Sequence, residues 1–186
     1  MVTQLRAARA SMNITWGLTR KLIVTALLLS TLAGSALAMG ARPPAAGMPA
    51  AGFSLTDLHG KAHSLEQYKG KIVLVNFWAT WCKPCVQEMP ELVSLQKELA
   101  NQNVQLLGIG IDSPSNISEF AEKYQISYPV FAAGMEGTTL SGAMGNKAGG
   151  LPFTVLISSS GQIVKTYFGK LKMDELKADI QKLNTK

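Results

Sequence analysis

A single α/β domain, with helices covering a mixed sheet, is what the 186-residue sequence predicts. Three observations lead there. Two near-continuous apolar, β-branched runs, residues 71–79 (KIVLVNFWA) and 104–111 (VQLLGIGI), have the composition of strands buried on both faces. Each is followed by a stretch whose apolar residues recur at helical spacing. A closing strand pair and an amphipathic helix complete the alternation, so parallel and antiparallel pairing are expected in one sheet.

The chain opens on a segment of different character. Arg20 and Lys21 precede an apolar run at residues 22–32 (LIVTALLLSTL), and Ala36-Leu37-Ala38 supplies a small-x-small cleavage pattern. Residues 1–38 therefore read as an export signal, with Met12 an alternative start to Met1. A retained anchor is the rival reading, because residues 22–41 form 20 uncharged positions. Either way the remainder is delivered across the membrane, which places the cysteines in an oxidising compartment, the periplasm. Residues 39–52 (MGARPPAAGMPAAG) have the composition of a linker, and the domain is expected over 53–186.

Within the domain, residues 53–58 and 62–65 flank a His59-Gly60 turn and predict a short hairpin. The strand at 71–79 leads into a helix over 82–101, with Met89, Leu92, Val93, Leu95 and Leu99 on its apolar face and Pro90 expected to kink it. The strand at 104–111 precedes a short helix over 115–124. A glycine-rich loop at 145–150 runs into Leu151-Pro152. Residues 153–157 and 163–168 then form a hairpin about a serine-rich turn, and a helix over 173–183 closes the chain.

Charge excludes one class of function. The net charge is +6, but the first 56 residues hold five bases and no acid, while the other 130 carry 13 bases and 12 acids. The basic balance belongs to the leader, whereas a nucleic-acid binder concentrates bases on its folded domain. The two histidines, His59 and His63, straddle the predicted turn and read as surface residues, not ligands. Gly108-Ile109-Gly110 lies inside a strand and lacks a third glycine, so it is no dinucleotide fingerprint.

The chemistry concentrates at Trp81-Cys82-Lys83-Pro84-Cys85. Both cysteines of the chain fall in one Cys-x-x-Cys, where a buried strand gives way to a helix. Unpaired N–H groups and the helix dipole favour a thiolate at Cys82, and Lys83 adds a neighbouring cation. Cys85, one turn on, can reach it and resolve a mixed disulfide. Pro84 is tolerated in the first turn. As a mere staple, a disulfide closing so short a loop constrains the unfolded chain little, and half of a zinc site would lack its other ligands.

The run VLVNFWATWCKPC, Pro90 and the Leu151-Pro152 pair resemble the thioredoxin superfamily. The Cys-x-x-Cys-x-x-Glu-x-Pro pattern through Glu88 and Pro90 is similar to its exported TlpA/ResA-like branch. The resemblance implies a thioredoxin fold with an N-terminal β-hairpin and an extra βα insertion between Cys85 and Pro152. It also implies that Glu88 moves protons during thiol exchange, that Pro152 is a cis-proline facing the cysteines, and that the Leu151 backbone pairs with substrate. Trp81, Lys83 and Pro84 complete the expected substrate-binding set, while Trp78 is expected in the core. Asn76 stands where thioredoxin has its buried aspartate, leaving Glu88 the only nearby candidate base.

The implied activity is protein-disulfide reduction by Cys82/Cys85 dithiol exchange, in cytochrome c or copper-centre assembly. The redox-active disulfide is the only redox group expected, with no cofactor and no metal. Protein disulfides are the expected substrates, an upstream membrane thiol reductant the donor, and a monomer the working form, held to the membrane only through an N-terminal anchor if one is retained. Two alternatives belong to other classes. A peroxiredoxin needs a hydroxyl three residues before the thiolate and a pocket arginine, where this chain has Ala79 and no Arg after Arg42. A copper carrier could use two soft thiolates but lacks a third ligand.

Overall fold

The computed structural model describes residues 46–185. The leader at 1–38, its alternative starts and the first part of the 39–52 segment lie outside the described residues. A hairpin of β1 (Ser54–Thr56) and β2 (Ala62–Ser64) leads through a 3₁₀ turn (Leu65–Tyr68) into β3 (Ile72–Trp78) and α1 (Lys83–Leu99). There follow β4 (Val104–Gly110), α2 (Pro114–Lys123), β5 (Val130–Ala132), α3 (Gly134–Ala143), β6 (Phe153–Ile157), β7 (Ile163–Phe168) and α4 (Met173–Asn184).

Five strands form one sheet in the order β5-β4-β3-β6-β7, with β3, β4 and β5 parallel and β6 and β7 antiparallel to their neighbours. The hairpin is a separate two-stranded sheet. The mixed sheet and the hairpin stand as expected. β5 and α3 supply the extra βα pair, in a stretch where residue periodicity alone marks no element. α1 runs unbroken through Pro90, whose ring lies on the exposed face.

The strand alternation sorts the core into two halves. Ile72, Leu74 and Trp78 of β3 pack with Met89, Leu92 and Leu95 of α1, Ile117 and Phe120 of α2, and Leu176 and Ile180 of α4. Val73, Val75 and Phe77 point the other way, towards Leu55, Tyr68, Phe131 and Leu140. Asn76 falls on the α1 side of this alternation and is fully buried. Its register neighbours are Thr154 on β6 and Gly108 on β4, so a polar row crosses the sheet directly beneath α1.

Two expectations need correction. His63 is not a surface residue: it is buried, with Nδ1 2.5 Å from the Tyr68 hydroxyl and Nε2 2.8 Å from Asp57 Oδ2, and its ring meets Phe131 edge-on. Asp57 Oδ1 accepts from the backbone N–H groups of His59 and Lys61, which closes the hairpin turn. A buried ring must find partners for both nitrogens, and the hairpin turn supplies Asp57 while the 3₁₀ segment supplies Tyr68. The residues read as linker are engaged before 53: Gly47 N donates to Ile163 O at 2.6 Å, Ile163 N to Met48 O at 2.9 Å, and Pro49 bridges to Gln162. An edge strand exposes unpaired backbone groups, and this segment covers the first residues of β7. The chain thus enters at the end of the sheet opposite Cys82.

The glycines of β4 have a packing role. A Cβ on Gly110 would collide with Ile117 Cδ1, and one on Gly108 would lie 3.0 Å from the Tyr128 ring. Gly110→Ala is accordingly expected to lower stability by about 1–3 kcal/mol through overpacking. The readout is a lower denaturation midpoint at unchanged m-value; a wild-type midpoint would show that Ile117 repacks freely.

Candidate active site

Cys82 caps α1. Its backbone is extended (φ −86, ψ 100), and its sulfur accepts the Cys85 N–H at 3.3 Å. Cys82 N donates to Ala79 O at 3.2 Å, and Val86 N donates to Cys82 O at 3.1 Å. The sequence dictates this locally: Pro84, in the first turn, has no N–H to satisfy, so the Cys85 N–H is the donor left to reach the cap. A sulfur in the N-cap position receives both that hydrogen bond and the positive end of the helix, which favours its ionised form once reduced.

In the structure the two sulfurs are joined at 2.07 Å. Cys82 keeps 6% of its surface exposed and Cys85 none, so the first sulfur is the accessible one. Trp81 projects beside it, 70% exposed, while Trp78 is fully buried as expected. Lys83 is exposed and Pro84 half-buried. Leu151 and Pro152 lead into β6, the antiparallel neighbour of β3. Their peptide bond is cis, Phe153 pairs with Phe77, and Pro152 therefore sits level with the end of β3. Leu151 packs on the core cluster that includes Cys82 and Cys85. The residues singled out from the sequence thus gather at one end of the sheet.

Glu88 lies one helical turn beyond Cys85 and is completely buried. Its Oε1 accepts from Asn76 Nδ2 at 2.9 Å, and its Oε2 accepts from the Leu171 backbone N–H at 3.0 Å. Asn76 Nδ2 also donates to Thr154 Oγ1 at 3.0 Å. Burial disfavours the charged form and pushes the carboxyl up to about 6, against the lowering pull of the Leu171 N–H, the Asn76 amide and the Lys170 charge. A carboxyl that titrates near neutrality one turn behind a thiol can exchange protons with it.

Sequence reasoning did not find the supports. The Leu171 N–H is a backbone group 83 positions away, and no residue type announces it. Thr80, just before Trp81, donates to Asp112 Oδ2 at the end of β4. Asp112 Oδ1 takes the Ser113 N–H at 2.7 Å and Asn116 Nδ2 at 2.9 Å. The Thr80 hydroxyl, with those donors, holds Asp112 below the ordinary carboxylate range despite its burial. An acid closing a buried strand at the same sheet end as the cysteines was the available signal.

Strand order, cis-proline and a helix-capping Cys-x-x-Cys define a thioredoxin-fold redox domain. The chain belongs to the AhpC/TSA family of that superfamily, which it matches over residues 46–166. It is 34% identical over 132 residues to the thiol-disulfide oxidoreductase ResA of Geobacillus thermodenitrificans, covering 70% of this chain and 74% of the relative. The ResA of Bacillus anthracis is 33% identical over 132 residues, with the same shares, 70% and 74%, covered. Among solved structures, a thiol:disulfide interchange protein of the thioredoxin family from Chlorobium tepidum superposes with a TM-score of 0.66 at 30% identity, over 77% of this chain and 97% of that one. The protein is a thiol-disulfide oxidoreductase.

A carboxyl raised by folding makes stability depend on pH. Below the ordinary value of 4.5, Glu88 is protonated in both folded and unfolded states; as pH rises through about 6, the folded state must accept the buried charge. Stability is therefore expected to fall across that window, by about 2 kcal/mol at most. Glu88→Gln should remove this decline and be the more stable protein at neutral pH. Denaturation at a series of pH values checks it, and parallel curves for the two proteins would refute the assignment.

Proposed function

We propose that this protein reduces disulfides of other proteins in the periplasm, with the Cys82–Cys85 pair as its only redox group. The carrying observation is the division of labour between the sulfurs: one accessible at a helix cap, the other buried one turn from a carboxyl. Support for the compartment comes from the leader, with its positive flank, apolar run and Ala36-Leu37-Ala38 pattern. Among the described residues no helix is long and apolar enough to cross a membrane.

In the reduced protein the Cys82 thiolate attacks one sulfur of a substrate disulfide, forming a Cys82–substrate bond and releasing the other substrate sulfur as a thiolate that takes a proton from solvent. Glu88 then accepts the Cys85 proton. The Cys85 thiolate attacks Cys82 Sγ, the mixed disulfide breaks, and the second substrate sulfur leaves with the proton that Glu88 returns. Substrate gains two electrons and two protons, and Cys82–Cys85 is left oxidised. An upstream membrane thiol reductant restores the dithiol, because the compartment is itself kept oxidising. Trp81, Lys83 and Pro84 form one wall of the docking surface and Leu151-Pro152 the other, with the Leu151 backbone offering strand-like pairing to an extended segment. Substrates in cytochrome c or copper-centre assembly fit this direction.

The AhpC/TSA match raises the peroxide-cleaving alternative. Three residues before Cys82 stands Ala79, buried and without a hydroxyl, and the sequence has no arginine after Arg42. Among the described residues the groups that would activate a peroxide are missing.

Cys82→Ser is expected to abolish reduction of a protein disulfide, whereas Cys85→Ser should accumulate a substrate adduct on Cys82, visible by non-reducing electrophoresis. Equilibration with glutathione should place the pair well below the periplasmic oxidants in potential. Full activity in Cys82→Ser would refute the mechanism, and an oxidant-like potential would reverse its direction.

A further inference from the structure

The roles of the groups around Glu88 are almost all fixed. The Leu171 N–H can only donate, so Oε2 is held as an acceptor and an incoming proton goes to Oε1. Oε1 faces Asn76 Nδ2, which is also only a donor, so the protonated acid and the amide would meet hydrogen to hydrogen. The remedy lies within the same side chain. Asn76 Oδ1 is buried and has no hydrogen-bond partner among the described residues. A half-turn about the last side-chain bond would bring Oδ1 to the place Nδ2 now holds.

Both existing bonds survive that turn with their direction reversed. Oδ1 would accept from Glu88 Oε1–H, and also from Thr154 Oγ1, whose hydroxyl donates as readily as it accepts. The one unpartnered atom changes from an oxygen to a nitrogen, so the number of orphaned buried groups does not grow. Aspartate at this position would set two carboxylates against each other, and an apolar residue would leave ionised Oε1 without its donor.

We propose that Asn76 is the positioning residue that lets Glu88 gain and lose a proton in place, offering Nδ2 to the carboxylate and Oδ1 to the acid by a half-turn of its amide. This rests on the reading of Glu88 as the proton carrier for Cys85.

The other charges facing Glu88 do not replace this device. Lys170, in the loop after β7, is paired at the surface with Glu91 of α1 at 3.0 Å. Tyr128, ahead of β5, bonds its hydroxyl to Met89 Sδ at 3.0 Å, and burial first, then the Glu88 charge, raises it so that it stays protonated. Cys82 and Cys85 head the same helix. On the strands beneath, Asn76 and Thr154 do not titrate, and Tyr167 of β7, the register neighbour of Thr154, donates its hydroxyl to Asp179 of α4 at 2.9 Å and is held protonated by burial first and then by that carboxylate.

The test is nuclear magnetic resonance on the full chain, following the Glu88 carboxyl carbon and the Asn76 side-chain amide together across about pH 4–8, a range that brackets a carboxyl raised by burial. The expected result is one shared midpoint, with contacts from the Asn76 NH₂ protons to the Thr154 side chain present above it and lost below. Glu88→Gln, a permanent donor at that position, should hold the low-pH pattern throughout. Asn76→Asp should move the Glu88 midpoint, and with it the pH profile of thiol exchange, upward by about one unit or more. An Asn76 amide indifferent to the Glu88 titration would overturn the proposal while leaving Glu88 as proton carrier. A carboxyl that does not titrate in the range would overturn both.

Discussion

One buried carboxylate ties together the parts of this domain that matter for its chemistry. Glu88 belongs to α1, its Oε1 is held from β3 by Asn76, and its Oε2 is held by Leu171 in the loop between β7 and α4. An ionised acid taken out of water without a bonded cation is costly, and donors on both oxygens are what make the site tolerable. Those two bonds add to the packing of Met89, Leu92 and Leu95 in fixing the rotation of α1 on the sheet, since the helix cannot roll without breaking one of them. Cys85 and Cys82 ride on that helix, so their placement follows from the same contacts. Three of the six buried polar residues among those described, Asn76, Glu88 and Thr154, stand in one hydrogen-bonded row between the sheet and α1.

The row makes the two sulfurs unequal. Cys82 sits at the cap, where the Cys85 N–H points at its sulfur and a partner protein can reach it. Cys85 sits under the first turn, closed off from solvent and adjacent in the helix to the acid. On the proposed reading, a more accessible nucleophile and a fully buried resolving thiol with Glu88 as its proton acceptor give exchange an order, because the second step needs no proton from solvent. The same low dielectric that raises the Glu88 carboxyl strengthens each bond it makes, so the group is both firmly placed and ready to change charge.

Much of this was legible in the sequence because it depends on local pattern. The continuous apolar run of β3, the switch to helical spacing at Cys82 and the Pro84 of the first turn act within a few residues of one another. The export of the redox chemistry to the sheet end follows from strand-to-helix order alone. What was not legible depends on long-range closure or on glycine. α3 reads as GMEGTTLSGA, which has no apolar face to detect. Gly137 lets it press on β4, where a Cβ would stand 3.1 Å from Ile109 Cγ2. His63 gave no sign of burial because its partners, Asp57 and Tyr68, are brought together only when the hairpin folds onto Phe131. The importance of Asn76 was visible only as a departure from thioredoxin, since a single amide in a strand carries no label for the carboxylate it will meet.

The inserted βα pair is best understood through how it is laced to the cysteines. Ala133, between β5 and α3, donates its N–H to Gly110 O at 2.9 Å, and Ile111 donates to Trp78 O at 2.8 Å. Asp112 follows at once and holds Thr80, the neighbour of Trp81. A chain of bonds thus runs from the insertion to the end of β4, across to the end of β3, and into the turn that carries Cys82. Removing the insertion would leave the β4 edge unpaired just before the strand gives way to Asp112. The insertion is therefore bonded to the strand whose end, through Asp112 and Thr80, lies beside the turn that carries Cys82.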